Sequence, residues 1–152
     1  MSDRRLARPN RRVDWLFLGV GIVLALAGIG IGSVSIFFAG GLGILLGSST
    51  AIVLGGLERF TGDALGEEND IDEDTGWLIG KLENILVYVL VIFGEWTALS
   101  IVFAAKSIVR REDISSGKTT YYLAGTLLNF TYSIALGLAA RWVVLDGIPR
   151  LF

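Results

Sequence analysis

The stretch 76-GWLIGKLENILVYVLVIFGEWTALSIVFAAKSIVRR-111 decides how this chain is built. It is apolar for longer than a bilayer crossing requires. It also carries Glu83 near its start, Glu95 near its middle and Lys106 near its end. Ionisable groups are costly in hydrocarbon, so each needs a partner, a route to water or a task.

The rest of the chain has the same character. Of 152 residues 53% are hydrophobic, and the mean hydropathy is +0.63. In so short a chain, with the apolar residues in long blocks, this composition indicates a multi-span membrane protein. Cys and His are absent, which excludes disulfides, thiol and histidine catalysis, Cys/His zinc sites and histidine-ligated haem. No cofactor, metal site or catalytic constellation is expected, and the chain is read as a non-enzyme.

The first apolar block, Trp15–Leu57, would be about 64 Å long as one helix, roughly twice the hydrocarbon thickness. It is therefore divided near Gly32-Ser33 into helices over 14–31 and 35–57. The predicted organisation is a basic cytoplasmic tail (1–13), a glycine-rich transmembrane hairpin (14–57), an acidic loop (58–75), a second transmembrane hairpin (76–144) and a short tail (145–152). In the second hairpin one helix runs from Gly76 to about Arg110 and another from Thr120 to Val144. The expected fold is thus all-α, four transmembrane helices arranged as two hairpins.

Charge is segregated. Arg4, Arg5, Arg8, Arg11 and Arg12 form the N-terminal tail, and Asp63, Glu67, Glu68, Asp70, Asp72, Glu73 and Asp74 the central loop. The tail suits anionic headgroups at a cytoplasmic membrane face rather than nucleic acid. The positive-inside rule places it inside the cell. With four spans this leaves Lys106, Arg110, Arg111 and Lys118 outside, against the same rule. An odd number of passes within Trp15–Leu57 would reverse that.

Small residues recur at helical spacing: Gly21, Ala25, Gly28 and Gly32; Gly43, Gly47, Ala51 and Gly55; and Gly125, Asn129, Ser133, Gly137 and Arg141. In lipid such seams let helix backbones approach. The last stripe also bears polar groups that require hydrogen-bond partners. If 76–110 and 120–144 fold back about residue 114, Glu95 lies level with Ser133 and near Asn129 or Tyr132. Glu83 then lies near Arg141. Lys106, Arg110, Arg111 and Lys118 are candidates for binding lipid phosphate, with snorkelling as the plain alternative.

Two near-motifs fail on their spacing. Ser115–Thr120 ends like a phosphate-binding loop, but Glu112 stands where its first glycine belongs. Asp70, Asp72 and Asp74 match the first calcium-loop ligands, but Thr75 replaces the glycine and Lys81 the closing Glu.

Gly80-Lys81-Leu82-Glu83, Gly94, Ala104–Arg110 and Tyr122–Leu128 together resemble the membrane-embedded C-terminal part of the family called domain of unknown function 3307, over about residues 76–137. The matching positions are Glu83, Lys106, Ser107, Arg110, Gly125 and Thr126. The resemblance implies a polytopic membrane protein and no particular activity. The chain departs from that pattern in its N-terminal glycine-rich hairpin and in Glu95, where the pattern has Gln.

Three functions are compatible with these residues. One is a non-catalytic cell-membrane component that forms a homo-oligomer or joins a membrane-protein partner through small-residue faces. The others are a proton- or cation-conducting protein using Glu95 with Asn129 and Ser133, and an anionic-lipid-binding protein.

Overall fold

The computed structural model describes residues 11–61, 73–109 and 119–147. Five α-helices follow one another: α1 (Arg11–Ile31), α2 (Val34–Thr61), α3 (Glu73–Phe93), α4 (Trp96–Val109) and α5 (Thr119–Trp142), the last continued by a π-helical turn, Val143–Gly147. No strand occurs among the described residues. The helices α2 and α3 extend into both ends of the segment expected as an acidic loop, and residues 62–72 lie outside the described residues.

The turn between α1 and α2 falls where the length argument places it. Gly32 has φ 68°, its N–H donates to Ile29 O at 3.3 Å, and Ser33 N–H reaches back to Gly28 O at 2.8 Å. This is the Schellman ending, in which a left-handed residue satisfies the last carbonyls of a helix.

The same device recurs inside the stretch 76–111, and here the expected single helix is corrected. Gly94 has φ 74°, its N–H donates to Val91 O at 3.1 Å, and Glu95 N–H donates to Leu90 O at 2.9 Å. The run therefore breaks at Gly94-Glu95, and α4 folds back along α3, bringing Lys106 to Glu83.

The expected hairpin about residue 114 is corrected as well. Gly80 O meets Asn129, Asn84 meets Ser133, Tyr88 and Val91 meet Gly137, and Ile92 O meets Arg141. A near-constant offset of this kind means that α3 and α5 run parallel. The reversal at Gly94 is the cause, because α4 supplies the return pass. So α1, α3 and α5 point one way, and α2 and α4 the other.

Packing of α1 on α2 is backbone against backbone. A Cβ added at Gly21, Gly28, Gly40 or Gly47 would lie 2.4, 2.4, 2.2 or 2.4 Å from a backbone nitrogen of the facing helix. The predicted seam is thus real at Gly21, Ala25, Gly28, Gly43 and Gly47, and Gly40 joins it. By contrast Gly55 touches nothing. Two apolar clusters complete the interior: Val87, Val91, Leu99 and Phe130 between α3, α4 and α5, and Leu45, Tyr88 and Ala140 between α2, α3 and α5.

The surface is the reverse of a soluble bundle. Trp15, Leu16, Val23, Leu26, Phe93, Ile101, Ile108, Leu127 and Trp142 are exposed, whereas Ser49, Lys81, Asn84 and Ser133 are buried. Among the described residues, three helices are long and apolar enough to cross a membrane: Arg12–Ile31, Val34–Leu57 and Ala124–Leu145. The helix Trp96–Ile108 is apolar but shorter.

Candidate functional site

A charged group is buried where α1, α2 and α3 meet. Lys81 extends from α3 with 7% of its side chain exposed, and Asp14 faces it from the first turns of α1 with 13%. Their charged atoms are 3.0 Å apart. Burial at this level demands pairing, because an isolated ion in an apolar interior is strongly disfavoured. The remaining partners come from α2: Lys81 Nζ donates to the Leu46 carbonyl, to Ser49 Oγ at 3.1 Å and to Thr50 Oγ1 at 3.0 Å. The Trp77 ring lies with its centroid 5.5 Å from the ammonium, within cation–π range.

Further polar contacts follow along α3 at intervals of about one turn. Ser133 Oγ lies 2.8 Å from Asn84 Oδ1 and 2.9 Å from the Asn129 carbonyl, either of which accepts its proton. Tyr132 and Ser48 hydroxyls are 2.6 Å apart, and Tyr88 donates to Phe38 O at 3.1 Å. Arg141 Nη1 donates to Ile92 O at 2.9 Å and to Val91 O at 3.4 Å. A cation on the last carbonyls of a helix is favoured by the helix dipole, so Arg141 caps α3 from α5. The stripe Asn129–Ser133–Gly137–Arg141 read from the sequence is the face that α5 turns to α3.

Several predicted pairings are replaced. Glu95 occupies the α3–α4 turn with an exposed side chain, and it meets neither Asn129 nor Ser133. Ser133 pairs instead with Asn84, and Asn129 Nδ2 makes a long contact of 3.4 Å to Gly80 O. Glu83 does not meet Arg141. It holds Lys106, whose ammonium also lies 4.8 Å from the Phe130 ring centroid. Lys106 is therefore engaged by Glu83 across the α3–α4 turn.

Ser107 is exposed and bonds back to Phe103 O at 2.9 Å, an ordinary helical contact. Gly125 faces Leu57, with 3.4 Å to an added Cβ, and Thr126 is half-buried in α5. Arg110, Arg111 and Lys118, the segment Ser115–Lys118, and Asp70 and Asp72 lie outside the described residues.

Asp14, Ser49, Thr50, Lys81 and Asn84 were not among the expected site residues. Their signals are present. Lys81, Asn84 and Tyr88 are spaced i, i+3, i+7 on an apolar helix, which sets them on one face. Ser48-Ser49-Thr50 interrupts an otherwise apolar α2, and Asp14 opens the first apolar block.

No protein-family model, no curated protein and no solved structure matches the chain.

Proposed function

We propose that the chain is a small, non-catalytic integral protein of the cell membrane that works by associating, within the bilayer, with a second copy or a membrane-protein partner. One observation carries the reading. Most glycines of α1 and α2 are met by another helix of the bundle, but Gly19 and Gly30 of α1, like Gly55 of α2, have nothing within 4 Å. They lie with Trp15, Val23 and Leu26 on the exposed side of α1. In hydrocarbon, a helix face of this kind gains van der Waals contact when another helix docks on it. The buried polar groups support the same reading, because Ser49, Lys81, Asn84 and Ser133 are engaged in joining helices of the chain itself.

The test is association in lipid. The chain has no Cys, so Val23→Cys introduces a single thiol on this face. Oxidative crosslinking in native membranes is expected to give a dimer or a mixed adduct, and Gly19→Leu with Gly30→Leu is expected to abolish it. A strictly monomeric species in native lipids overturns the reading.

A further inference from the structure

Glu83 and Lys106 pair at a depth where the opposite side of the bundle is apolar. Lys81 of α3 meets the Leu46 carbonyl of α2, and Tyr88 meets that of Phe38, so Glu83 lies level with Leu45. Across the glycine seam Gly21 faces Ile44 and Gly47 faces Leu18, so Leu45 is level with Val20 of α1. Val20 is 50% exposed, and Leu16 and Val23 on either side of it are exposed as well. At one level the bundle thus presents a bare apolar face on α1 and an ion pair between α3 and α4. That pair is not sealed. Lys106 keeps 20% of its side chain exposed and Glu83 24%, against 7% and 13% for Lys81 and Asp14.

The other end of α4 is charged too, because Glu95 is exposed in the α3–α4 turn. From position 95 to position 106 the helix rises about 16 Å, roughly half of a hydrocarbon core of about 30 Å. The exposed side of α4 also carries Thr97, Ser100 and Ser107, and both serine hydroxyls donate to carbonyls of α4 itself at 2.9 Å. On α3 the outward face stays apolar at Leu78, Leu82 and Leu86, so the shortfall is confined to α4. A span too short for the hydrocarbon is met by thinning the bilayer, by snorkelling or by association. Lys106 does not snorkel: its ammonium is turned to Glu83 on α3 and lies 4.8 Å from the Phe130 ring centroid of α5.

We propose that α4 meets a locally thinned leaflet, in which phospholipid headgroups and water reach the Glu83–Lys106 pair, while the leaflet around α1 keeps its full depth. The partner of this face is lipid, and a bilayer of short acyl chains fits it best. Water and headgroups drawn to a charged pair in this way relieve the cost of holding it in hydrocarbon. The thinning presupposes that the chain crosses a bilayer, but not that it associates, since Val20 is dry whether lipid or another helix covers α1.

Single cysteines at Ser107 and Val20 test this in the full-length protein held in nanodiscs, where an impermeant maleimide reaches both faces of the bilayer. In dimyristoleoyl phosphatidylcholine, Ser107→Cys is expected to react at least about tenfold faster than Val20→Cys, as a position among headgroups against one in hydrocarbon. In dierucoyl phosphatidylcholine, whose longer chains thicken the core, the rate at Ser107→Cys is expected to fall several-fold. Ala104→Cys, on the same exposed side of α4, carries the comparison where Ser107→Cys does not fold. A cysteine on α4 that reacts no faster than Val20→Cys overturns the proposal, as it would if another helix covered this face. So does a rate that is fast but equal in the two lipids, which would mean a fixed aqueous crevice in the protein.

Discussion

Lys81 and Asp14 show how a single pair governs three helices. Each partner is tolerable in the interior only because of the other, so removing one leaves an uncompensated buried charge. Asp14→Asn and Lys81→Met are each expected to cost about 3–5 kcal/mol. The double variant should cost less than their sum, and a double-mutant cycle by denaturant unfolding in detergent reads that coupling. Glu95 is the opposite case. It is ionisable and central in the sequence, yet exposed in a turn, so Glu95→Gln should change stability by no more than about 0.5 kcal/mol in the same assay. Its neighbour Gly94 is the residue that matters there. At φ 74° a side chain is strained, and an added Cβ would approach Arg141 Nη1 to 2.7 Å. Gly94→Ala is therefore expected to destabilise by at least about 1–2 kcal/mol, as lost unfolding free energy.

Between elements, glycines divide into those another helix fills and those left open. Gly40 meets the backbone of Ala25 at 2.2 Å from a built Cβ, so Gly40→Val must push α1 off α2. A loss of about 1–3 kcal/mol or more follows, read as a lowered thermal transition, whereas Gly19→Leu should leave the transition in place. The α3–α4 reversal has its own measurement. An unbroken helix would hold positions 83 and 106 about 35 Å apart, while the hairpin brings Glu83 and Lys106 into an ion pair. Spin labels placed at these two positions should report the short separation, and a distance near 35 Å would mean the helix is continuous. The break at Gly94 was legible in principle. The length argument that divides Trp15–Leu57 applies equally to Gly76–Arg111, and Gly94-Glu95 parallels Gly32-Ser33. Tilt offered another way to accommodate a long apolar helix, and so hid the turn.

For the whole molecule, five alternating helices bring the ends at residues 11, 61, 73, 109 and 119 together. In the sequence, Arg4, Arg5, Arg8, Arg11 and Arg12 lead up to or open α1, Arg59 stands in the last turn of α2, and Lys106, Arg110, Arg111 and Lys118 flank the end of α4 and the start of α5, while Arg141 lies near the opposite end of α5. The conflict that a four-helix reading creates for the positive-inside rule disappears, and we propose that the charged end faces the cytoplasm. Tryptophans mark both ends: Trp15 and Trp77 at the charged one, Trp96 and Trp142 at the other. From Trp77 to Gly94 the helix rises about 26 Å, close to the hydrocarbon thickness of roughly 30 Å. Single cysteines at Ser33 and at Glu95 should therefore both react with an impermeant maleimide from outside intact cells, and one at Arg12 should be protected. Labelling of positions 33 and 95 from opposite sides would defeat this arrangement.

What the sequence by itself determined is local. Unbroken apolar runs make helices of membrane length, a run too long for one crossing must turn, and small or polar residues four apart mark the inward stripe of α5. These follow from rise per residue and periodicity, which need no knowledge of neighbours. The tertiary structure decided which stripes meet. The pairs Asp14–Lys81, Asn84–Ser133 and Ile92–Arg141 join residues about fifty or more positions apart, and α3 with α5 is parallel only because α4 intervenes. A polar residue in an apolar helix announces that it needs a partner, but the partner is set by where the next turn falls. Here that was settled by one left-handed glycine.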